Sequence, residues 1–295
     1  MNIVAAPIPP IVYVAALSST ARAQDLKLIG EAGGRTAANT KEISMIARRL
    51  KLIGLALAVV TLGAAPAFAA DTLVAVAANF TEPAKAIATA FKAATGNTVT
   101  LSFGSSGQFY TQISQGAPFE VLLSADADRP RKAEQEGLGV PGTRFTYAVG
   151  RLVLFSRTPG LVDPAGAVLA GGRFEKLAIA DPAAAPYGTA AVQTMRKLGL
   201  YGALKAKIVQ GASITQAYQF VETGAAEVGF VALSQVINEQ GGSRWVVPAT
   251  DHAVIDQQAI LLYAGDKDPA ARAFLAFLKS PAAIAIIKRY GYEVR

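Results

Sequence analysis

The chain of 295 residues contains no cysteine and one histidine, and its charged residues are few, at 17%. The lack of cysteine excludes disulfide bonds, thiolate metal sites and a cysteine nucleophile. The lone histidine, His252, excludes a metal site built from several imidazoles. Hydrophobic residues make up 52% of the chain. The length and composition therefore predict about two domains with a sizeable buried core.

Residues 45–69 have the parts of a secretory signal peptide. Three basic residues follow Met45, residues 52–64 form an uncharged apolar run, and residues 67–69 (AFA) have a small-x-small cleavage pattern. The apolar run is shorter than the roughly 20 residues of a membrane-spanning helix, so an anchor is the weaker alternative. We expect cleavage after Ala69 and a periplasmic protein. Because signal peptides begin a chain, residues 1–44 are interpreted as a doubtful extension upstream of the true start.

The net charge of +7 suggests a partner of negative charge, such as nucleic acid. Residues 1–69 hold seven basic and three acidic residues, which leaves 21 basic and 18 acidic residues in the remainder. The remaining charge of +3 is scattered along the chain, and its densest basic cluster, 129–132, has acidic neighbours. We therefore expect no nucleic-acid partner.

Strands and helices alternate along residues 70–295, which is typical of an α/β fold with parallel sheets. Short apolar runs predict strands at 72–78, 98–103, 119–124, 147–156, 177–180, 207–210, 227–233 and 253–262. Periodic apolar positions and Pro or Gly boundaries predict a helix with Pro83 in its first turn and helices at 107–114, 128–136, 188–198 and 214–223. Two more are predicted at the end of the chain.

The sequence has no long linker, although its length suggests two domains. We therefore expect two lobes between which the chain crosses more than once, in the extended segments near 147–156 and 248–258. This places residues 70–149 plus 251–295 in lobe 1 and residues 150–250 in lobe 2.

Four strand-to-helix turns are neutral and rich in hydroxyl, amide and glycine groups. Ligands of open α/β sheets bind at such turns, and helix N-termini offer unpaired N–H donors with partial positive charge. Several converging turns would form an anion site without Lys or Arg. The alternative is ordinary helix capping, by Asn79, Ser106 and Ser213. The turns are 78–81 (ANFT), 104–107 (GSSG), 186–189 (PYGT) and 211–215 (GASIT).

Catalytic chemistry has little support in these residues. A Ser-His-Asp triad would need His252, whose polar context ATDHAVID indicates a surface loop. No serine lies in a G-x-S-x-G elbow, and Asp126 and Asp128 fit a helix start better than a metal or acid–base pair. A secreted hydrolase using Ser105 or Ser106 is therefore a weak alternative, and we expect no enzyme.

The turns, in their order, resemble those of the periplasmic molybdate-binding proteins, the ModA family of ABC transporters. The matching segments are VAVAANF (74–80), SFGSSGQ (102–108), GAPFEVLLSAD (116–126), IADPAAAPYGTAA (179–191), ETGAAEVGFVALS (222–234) and KRYGYEVR (288–295). The resemblance implies a type II periplasmic-binding fold, in which two α/β lobes close over molybdate or tungstate. It implies no cofactor, molybdenum only as the oxyanion, a membrane permease as partner and a monomer.

The resemblance also implies the ligand-binding residues. Asn79 and Ser106 stand at side-chain donor positions, Tyr187 and Ile214 at backbone N–H positions, and Ala78 at a position that offers only its backbone. Some members have a tyrosine donor where this chain has Ala232, and often Ala at the position of Tyr187. We hypothesise that the Tyr187 hydroxyl replaces that donor. A sulfate-type or other oxyanion-binding protein of the same fold is the alternative function.

Overall fold

The computed structural model describes residues 71–295, which form two five-stranded sheets with helices packed on them. The interpretations of residues 1–44 as an extension and of 45–69 as a signal peptide lie outside the described residues. The strands are β1 (Asp71–Ala77), β2 (Thr98–Gly104), β3 (Val121–Leu123), β4 (Phe145–Gly150), β5 (Leu152–Ser156), β6 (Leu177–Ala180), β7 (Ile208–Gly211), β8 (Val228–Ala232), β9 (Ser243–Val246) and β10 (Ile255–Leu261).

The helices of the described residues mostly follow the strands, as the alternating pattern predicts. The α-helices are α1 (Thr81–Thr95), α2 (Ser106–Ser114), α3 (Asp128–Gln135), α4 (Val168–Gly171), α5 (Pro186–Lys197), α6 (Tyr201–Leu204), α7 (Ile214–Glu222), α8 (Leu233–Val236), α9 (Pro269–Phe277) and α10 (Pro281–Arg289). Three short 3-10 turns are also present, at Ala78–Phe80, Lys205–Lys207 and Tyr263–Gly265. Asp268 and Ser280 cap α9 and α10, and each precedes a proline at the first helical position.

The first sheet has the strand order β2-β1-β3-β10-β4, and the second has β7-β6-β8-β5-β9. The chain leaves the first sheet at Gly150, enters the second at Leu152, and returns between Val246 and Ile255. The prediction of one strand over 147–156 is therefore wrong, because this continuous apolar run supplies one strand to each sheet.

The sheets are mixed, so the prediction of parallel sheets is only partly right. Parallel pairs join β1 to β2 and β3, and β6 to β7 and β8. In contrast, β10 is antiparallel to β3 and β4, and β5 is antiparallel to β8 and β9. Thus β10 and β5 each run opposite to the other strands of their sheet, and each is the first strand after a passage between the sheets, where no crossover helix returns the chain in the parallel direction.

Alternating side chains of β1 supply the cores on the two faces of the first sheet. Val74 and Val76 join Phe80, Phe91 and Phe274 under α1, α9 and α10. On the other face, Ala75 packs with an aromatic pair formed by Phe109 of α2 and Phe119. This period of two is what a half-buried or fully buried strand requires. The second sheet has its own core, in which Leu154, Phe230 and Met195 are fully buried.

Within residues 71–295, no single helix is long and apolar enough to cross a membrane. Only α9 and α10 taken together meet that test of length and composition, and they are bent by 59° at the break between them.

Candidate functional site

A small cavity lies where turns of the first sheet face turns of the second. The parallel strands β1, β2, β6 and β7 end at it, which is where open α/β sheets bind ligands. Its empty volume is about 200 Å³, part of which is open to solvent, so only a small ligand fits. The described residues that line it are all uncharged: Ala77, Ala78, Asn79, Gly104, Ser105, Ser106, Ala125, Ala185, Pro186, Tyr187 and Ile214.

The first sheet contributes two turns to the cavity. Ala78 and Asn79 lie in the 3-10 turn that joins β1 to α1, and both are buried. Ser105, rather than Ser106, caps α2, and its hydroxyl accepts from the N–H of Gln108 at 3.4 Å. The capping interpretation of Ser106 is therefore wrong: Ser106 is the first residue of the helix, and its Oγ accepts from the N–H of Ala125 at 2.9 Å.

Asn79 is not a helix cap either. The 3-10 turn that contains it runs directly into α1, whose N-cap position is occupied by Phe80 without a side-chain bond. Its side chain instead points into a buried group of polar side chains, described below. Of the three residues considered as caps, Ser213 alone has that role, because it accepts from the N–H of Gln216 at 3.4 Å.

The second sheet contributes the N-termini of α5 and α7. Pro186 and Tyr187 are the first two residues of α5, and Ile214 is the first residue of α7. An N–H in the first turn of a helix has no helical carbonyl to bond, and it carries part of the positive end of the helix dipole. We call the backbone N–H groups of Ser106, Tyr187 and Ile214 the first-turn donors. Together they make this cavity attractive to an anion without any positive side chain.

The Tyr187 side chain is completely buried beside the passage between the sheets. Its hydroxyl accepts from Nε2 of Gln257 at 3.2 Å. A Cβ atom added to Gly150 would stand 2.2 Å from that hydroxyl, so only glycine leaves it room. Ala232, the position compared with Tyr187 in the sequence, is fully buried at the end of β8. The replacement of a donor at Ala232 by the Tyr187 hydroxyl stays a prediction.

Polar side chains that the sequence analysis did not select surround Asn79 and Tyr187. The amide nitrogen of Asn79 donates to Oε1 of Gln257 at 2.8 Å and to the Tyr292 hydroxyl at 2.9 Å. The hydroxyls of Tyr292 and Ser234 both donate to the backbone oxygen of Asn79, at 2.8 Å. We call this group the buried network; its members are Asn79, Tyr147, Tyr187, Ser234, Gln257 and Tyr292.

The tyrosines of the buried network are held in their protonated form. Burial raises the pKa of Tyr147 and of Tyr187 well above the usual value. Burial also raises the pKa of Tyr292, to about 12, although its hydrogen bonds to Ser234 and Asn79 act in the opposite direction. All three hydroxyls therefore act as donors as well as acceptors over the physiological pH range.

The two sheets are also linked outside the cavity, at its mouth. The N–H of Gly107 in α2 donates to the carbonyl of Ala184 at 2.9 Å. Nη2 of Arg129 in α3 donates to the neighbouring carbonyl of Ala183 at 2.9 Å, while its Nη1 pairs with Asp126. On the other side, the Thr215 hydroxyl lies 3.3 Å from the carbonyl of Ala78. These contacts enclose whatever occupies the cavity.

The remaining candidates do not join this site. His252 lines a different cavity from Ser105 and Ser106, so the structure does not assemble the triad considered from the sequence. Asp126 pairs with Arg129 and accepts from its N–H at 3.0 Å, and Asp128 begins α3, as expected for a helix start. Within residues 71–295, no group of three or more histidine or acidic side chains is placed to hold a metal ion.

Comparisons with known proteins give the same picture. Residues 72–293 match the family model of the bacterial extracellular solute-binding proteins. The molybdate-binding protein ModA of Rhodobacter capsulatus is 59% identical over 237 residues, which cover 80% of this chain and 94% of that protein. The molybdate-binding protein ModA of Azotobacter vinelandii is 55% identical over 244 residues, covering 80% and 97%.

A solved structure extends the likeness to three dimensions. The periplasmic molybdate-binding protein of Azotobacter vinelandii superposes with a TM-score of 0.74 and 42% sequence identity, over 76% of this chain and 99% of that chain. The range matched by the family model includes every turn that lines the cavity.

Proposed function

Because the chain belongs to the bacterial extracellular solute-binding proteins, and among them to the ModA family, we propose that it binds molybdate and tungstate in the periplasm. It delivers the bound oxyanion to an ABC transporter for uptake, and it is not an enzyme. The observation that carries this proposal is the convergence of neutral turns from both sheets on one small buried cavity. The identity with two molybdate-binding proteins over 80% of the chain supports the choice of oxyanion.

The first-turn donors explain how a neutral site would hold a doubly charged ion. Three helices of nine to twelve residues direct their N-termini at the cavity, so partial positive charge is fixed there without a counter-ion. A fully ionised oxyanion needs only donors. A protonated anion such as hydrogen phosphate would leave its O–H without a good acceptor, which costs affinity.

The individual roles follow from position. Ala78 and Asn79 approach the ion through the 3-10 turn, Ser106 through its N–H and hydroxyl, and Tyr187 and Ile214 through their N–H groups. The hypothesis that the Tyr187 hydroxyl also contacts the ion predicts weaker binding in Tyr187→Phe. Unchanged affinity in that variant would contradict it.

The remaining parts of the proposal concern the chain as a whole. Export through the signal peptide of residues 45–69 leaves a mature protein that begins at Ala70 and acts as a monomer. Residues 70–149 plus 251–295 and residues 150–250 form the two lobes that close over the ion. The membrane permease of the transporter is the expected partner.

Titration calorimetry of the mature protein, recovered from the periplasm, tests this function. Molybdate and tungstate are expected to bind tightly, and sulfate and phosphate weakly or not at all. Mass spectrometry of the same sample tests cleavage after Ala69. Tight binding of sulfate without binding of molybdate would replace the proposal by the sulfate-type alternative.

One pair of variants tests the backbone chemistry directly. Ile214→Pro removes a single first-turn N–H, and proline is tolerated at the first position of a helix. The preceding residue, Ser213, already has the extended backbone (φ −144°, ψ 168°) that a following proline requires. Molybdate affinity should fall about tenfold or more in Ile214→Pro, whereas the control Ile214→Val, which keeps the N–H, should bind like the wild type.

A further inference from the structure

The orientation of the Asn79 amide is fixed by side chains that do not line the cavity. Asn79 is 3% exposed, and Gln257, from the middle of β10, is completely buried. Both hydrogens of the Asn79 amide are engaged, by Oε1 of Gln257 at 2.8 Å and by the Tyr292 hydroxyl at 2.9 Å. An amide nitrogen has two hydrogens, so none remains for a ligand in this arrangement.

This arrangement is unsuited to an anion in the cavity. The part of the Asn79 amide not engaged by Gln257 and Tyr292 is its carbonyl oxygen, which accepts hydrogen bonds and repels an oxyanion. For the side chain to donate to an anion, its oxygen and nitrogen must exchange places. Asn79 alone cannot do so, because its oxygen would then face Oε1 of Gln257, and two acceptors would meet in a buried site.

The exchange becomes possible when Gln257 turns as well. Nε2 of Gln257 would then face the Asn79 oxygen and the Tyr147 hydroxyl, which lies 3.1 Å from the present Oε1. The Gln257 oxygen would accept from the Tyr187 hydroxyl, now 3.2 Å away. Tyr147 can still donate to the carbonyl of Ser124 at 3.2 Å. Every member keeps a partner, since each hydroxyl can act either as donor or as acceptor.

We propose that Gln257 is a positioning residue whose amide turns together with that of Asn79, so that a bound oxyanion selects the orientation in which Asn79 donates to it. The proposal rests on the oxyanion-binding function argued above and deepens it. The buried network thus has two fully bonded arrangements, and only one of them is complementary to an anion. A bound anion stabilises that arrangement because it interacts more favourably with a hydrogen-bond donor than with an acceptor.

The variant Gln257→Glu tests the coupled turn at high pH. The carboxylate has nearly the same shape as the amide and can only accept, whereas at lower pH burial keeps the carboxyl protonated and able to donate. The carboxylate would hold the Asn79 amide with its hydrogens directed away from the cavity. We expect molybdate binding, measured by titration calorimetry, to weaken about 30-fold or more. The control Gln258→Glu adds the same charge one residue away, where Gln258 already accepts from Arg144 at 2.7 Å, and should change affinity less than about threefold.

A double-mutant cycle with Asn79→Ala separates positioning from direct repulsion of the anion. If Gln257 acts through Asn79, Gln257→Glu should cost less than about threefold in the Asn79→Ala background. Equal losses in the two backgrounds would show repulsion alone and would overturn the proposal, as would wild-type affinity in Gln257→Glu.

Two further measurements keep the test decisive. If Gln257→Glu does not fold, as judged by circular dichroism, Tyr292→Phe takes its place in the cycle. In the turned arrangement the Tyr292 hydroxyl would donate to the Asn79 oxygen and so stabilise that arrangement. Tyr292→Phe should therefore weaken binding about threefold to tenfold, and only when Asn79 is present. Failure of the wild-type protein to bind either molybdate or tungstate would overturn the proposed function and this inference together. If the wild-type protein binds molybdate but Gln257→Glu costs the same affinity with and without Asn79, this inference alone would be overturned.

Discussion

The first-turn donors line the cavity, whereas the buried network reaches it only through Asn79 and Tyr187. The first-turn donors are backbone groups, held where strands end and helices begin, and they need no particular side chain. The buried network needs particular side chains from distant parts of the chain, since Asn79 and Tyr292 are 213 residues apart. In the proposed function, the first-turn donors fix where the anion sits. In the proposed coupled turn, the buried network decides whether the Asn79 amide attracts or repels it.

The largest effect is expected at the mouth, on the side of the first-turn donors. A Cβ atom at Gly107 would lie 2.9 Å from the Cα and carbonyl oxygen of Ala184, which belong to the opposite sheet's turn. Gly107→Ala should therefore hold the lobes apart and weaken molybdate binding about 10- to 100-fold by calorimetry. Thermal unfolding of the ligand-free protein should hardly change, because the proposed opening of the lobes would leave room for a methyl group.

Gly202→Ala is the matched control for this variant, since a Cβ atom there meets nothing within 4 Å. If Gly107→Ala bound molybdate as tightly as Gly202→Ala, the contact at the mouth would have no part in closure.

These first-turn elements are also the ones that the sequence predicted best. Helices α2 and α7 lie within one residue of their predicted bounds, and the α/β fold and the ModA resemblance are confirmed by the family match and the solved relative. Local signals suffice here, because Ser, Gly and Pro mark the turns. The strand β9 was missed, since four residues after a glycine pair carry no clear periodicity.

A glycine-to-alanine variant beside the buried network should lower the stability of the ligand-free protein as well as its affinity, unlike Gly107→Ala. A Cβ atom at Gly150 would stand 2.2 Å from the Tyr187 hydroxyl and 2.7 Å from Nε2 of Gln257. Because these groups are buried beside the passage between the sheets, we expect them to stay together when the lobes open. Gly150→Ala should therefore lower the free energy of unfolding by about 1–3 kcal/mol and weaken molybdate binding about tenfold.

Urea unfolding of the ligand-free protein checks the first effect, and calorimetry checks the second. Loss of affinity without loss of stability would mean that the first-turn donors and the buried network respond alike, and the distinction between them would disappear.

The buried network escaped sequence analysis for a physical reason. Its contacts join residues that are 58 to 213 positions apart, and no local pattern records such pairing. Two weak signals existed: Gln257 interrupts an extended apolar segment, and Tyr292 lies within the KRYGYEVR segment that carries the resemblance. Neither signal shows which residue the side chain would bond to. The hydrogen-bond partners of the buried Gln257 side chain become predictable only once the register of β10 in the sheet is known.

A smaller effect is expected from the side chain that links the lobes at the mouth. Arg129→Ala removes the hydrogen bond to the carbonyl of Ala183 and should weaken molybdate binding about threefold to tenfold. Arg131→Ala is the control, because it removes the same charge from the same helix, where Arg131 pairs only with Asp128 among the described ion pairs. Equal affinities of the two variants would show that the charge, rather than the contact between lobes, matters.

The smallest effect distinguishes the first-turn donors from the buried network by pH, because backbone N–H groups do not titrate in this range whereas the tyrosines of the buried network do. An unfolded tyrosine ionises near pH 10, but burial raises the pKa of Tyr292 to about 12. The stability that this shift contributes is complete below about pH 10 and is lost as the pH rises towards 12.

In Tyr292→Phe, the free energy of unfolding from urea titrations should fall less steeply over this interval, by at most about 1.4 kcal/mol per pH unit. Tyr263→Phe, at an exposed tyrosine, should keep the wild-type slope. Parallel slopes for Tyr292→Phe and the wild type would mean that the hydroxyl is as well solvated in the folded protein as in the unfolded chain, and that the network is open to water.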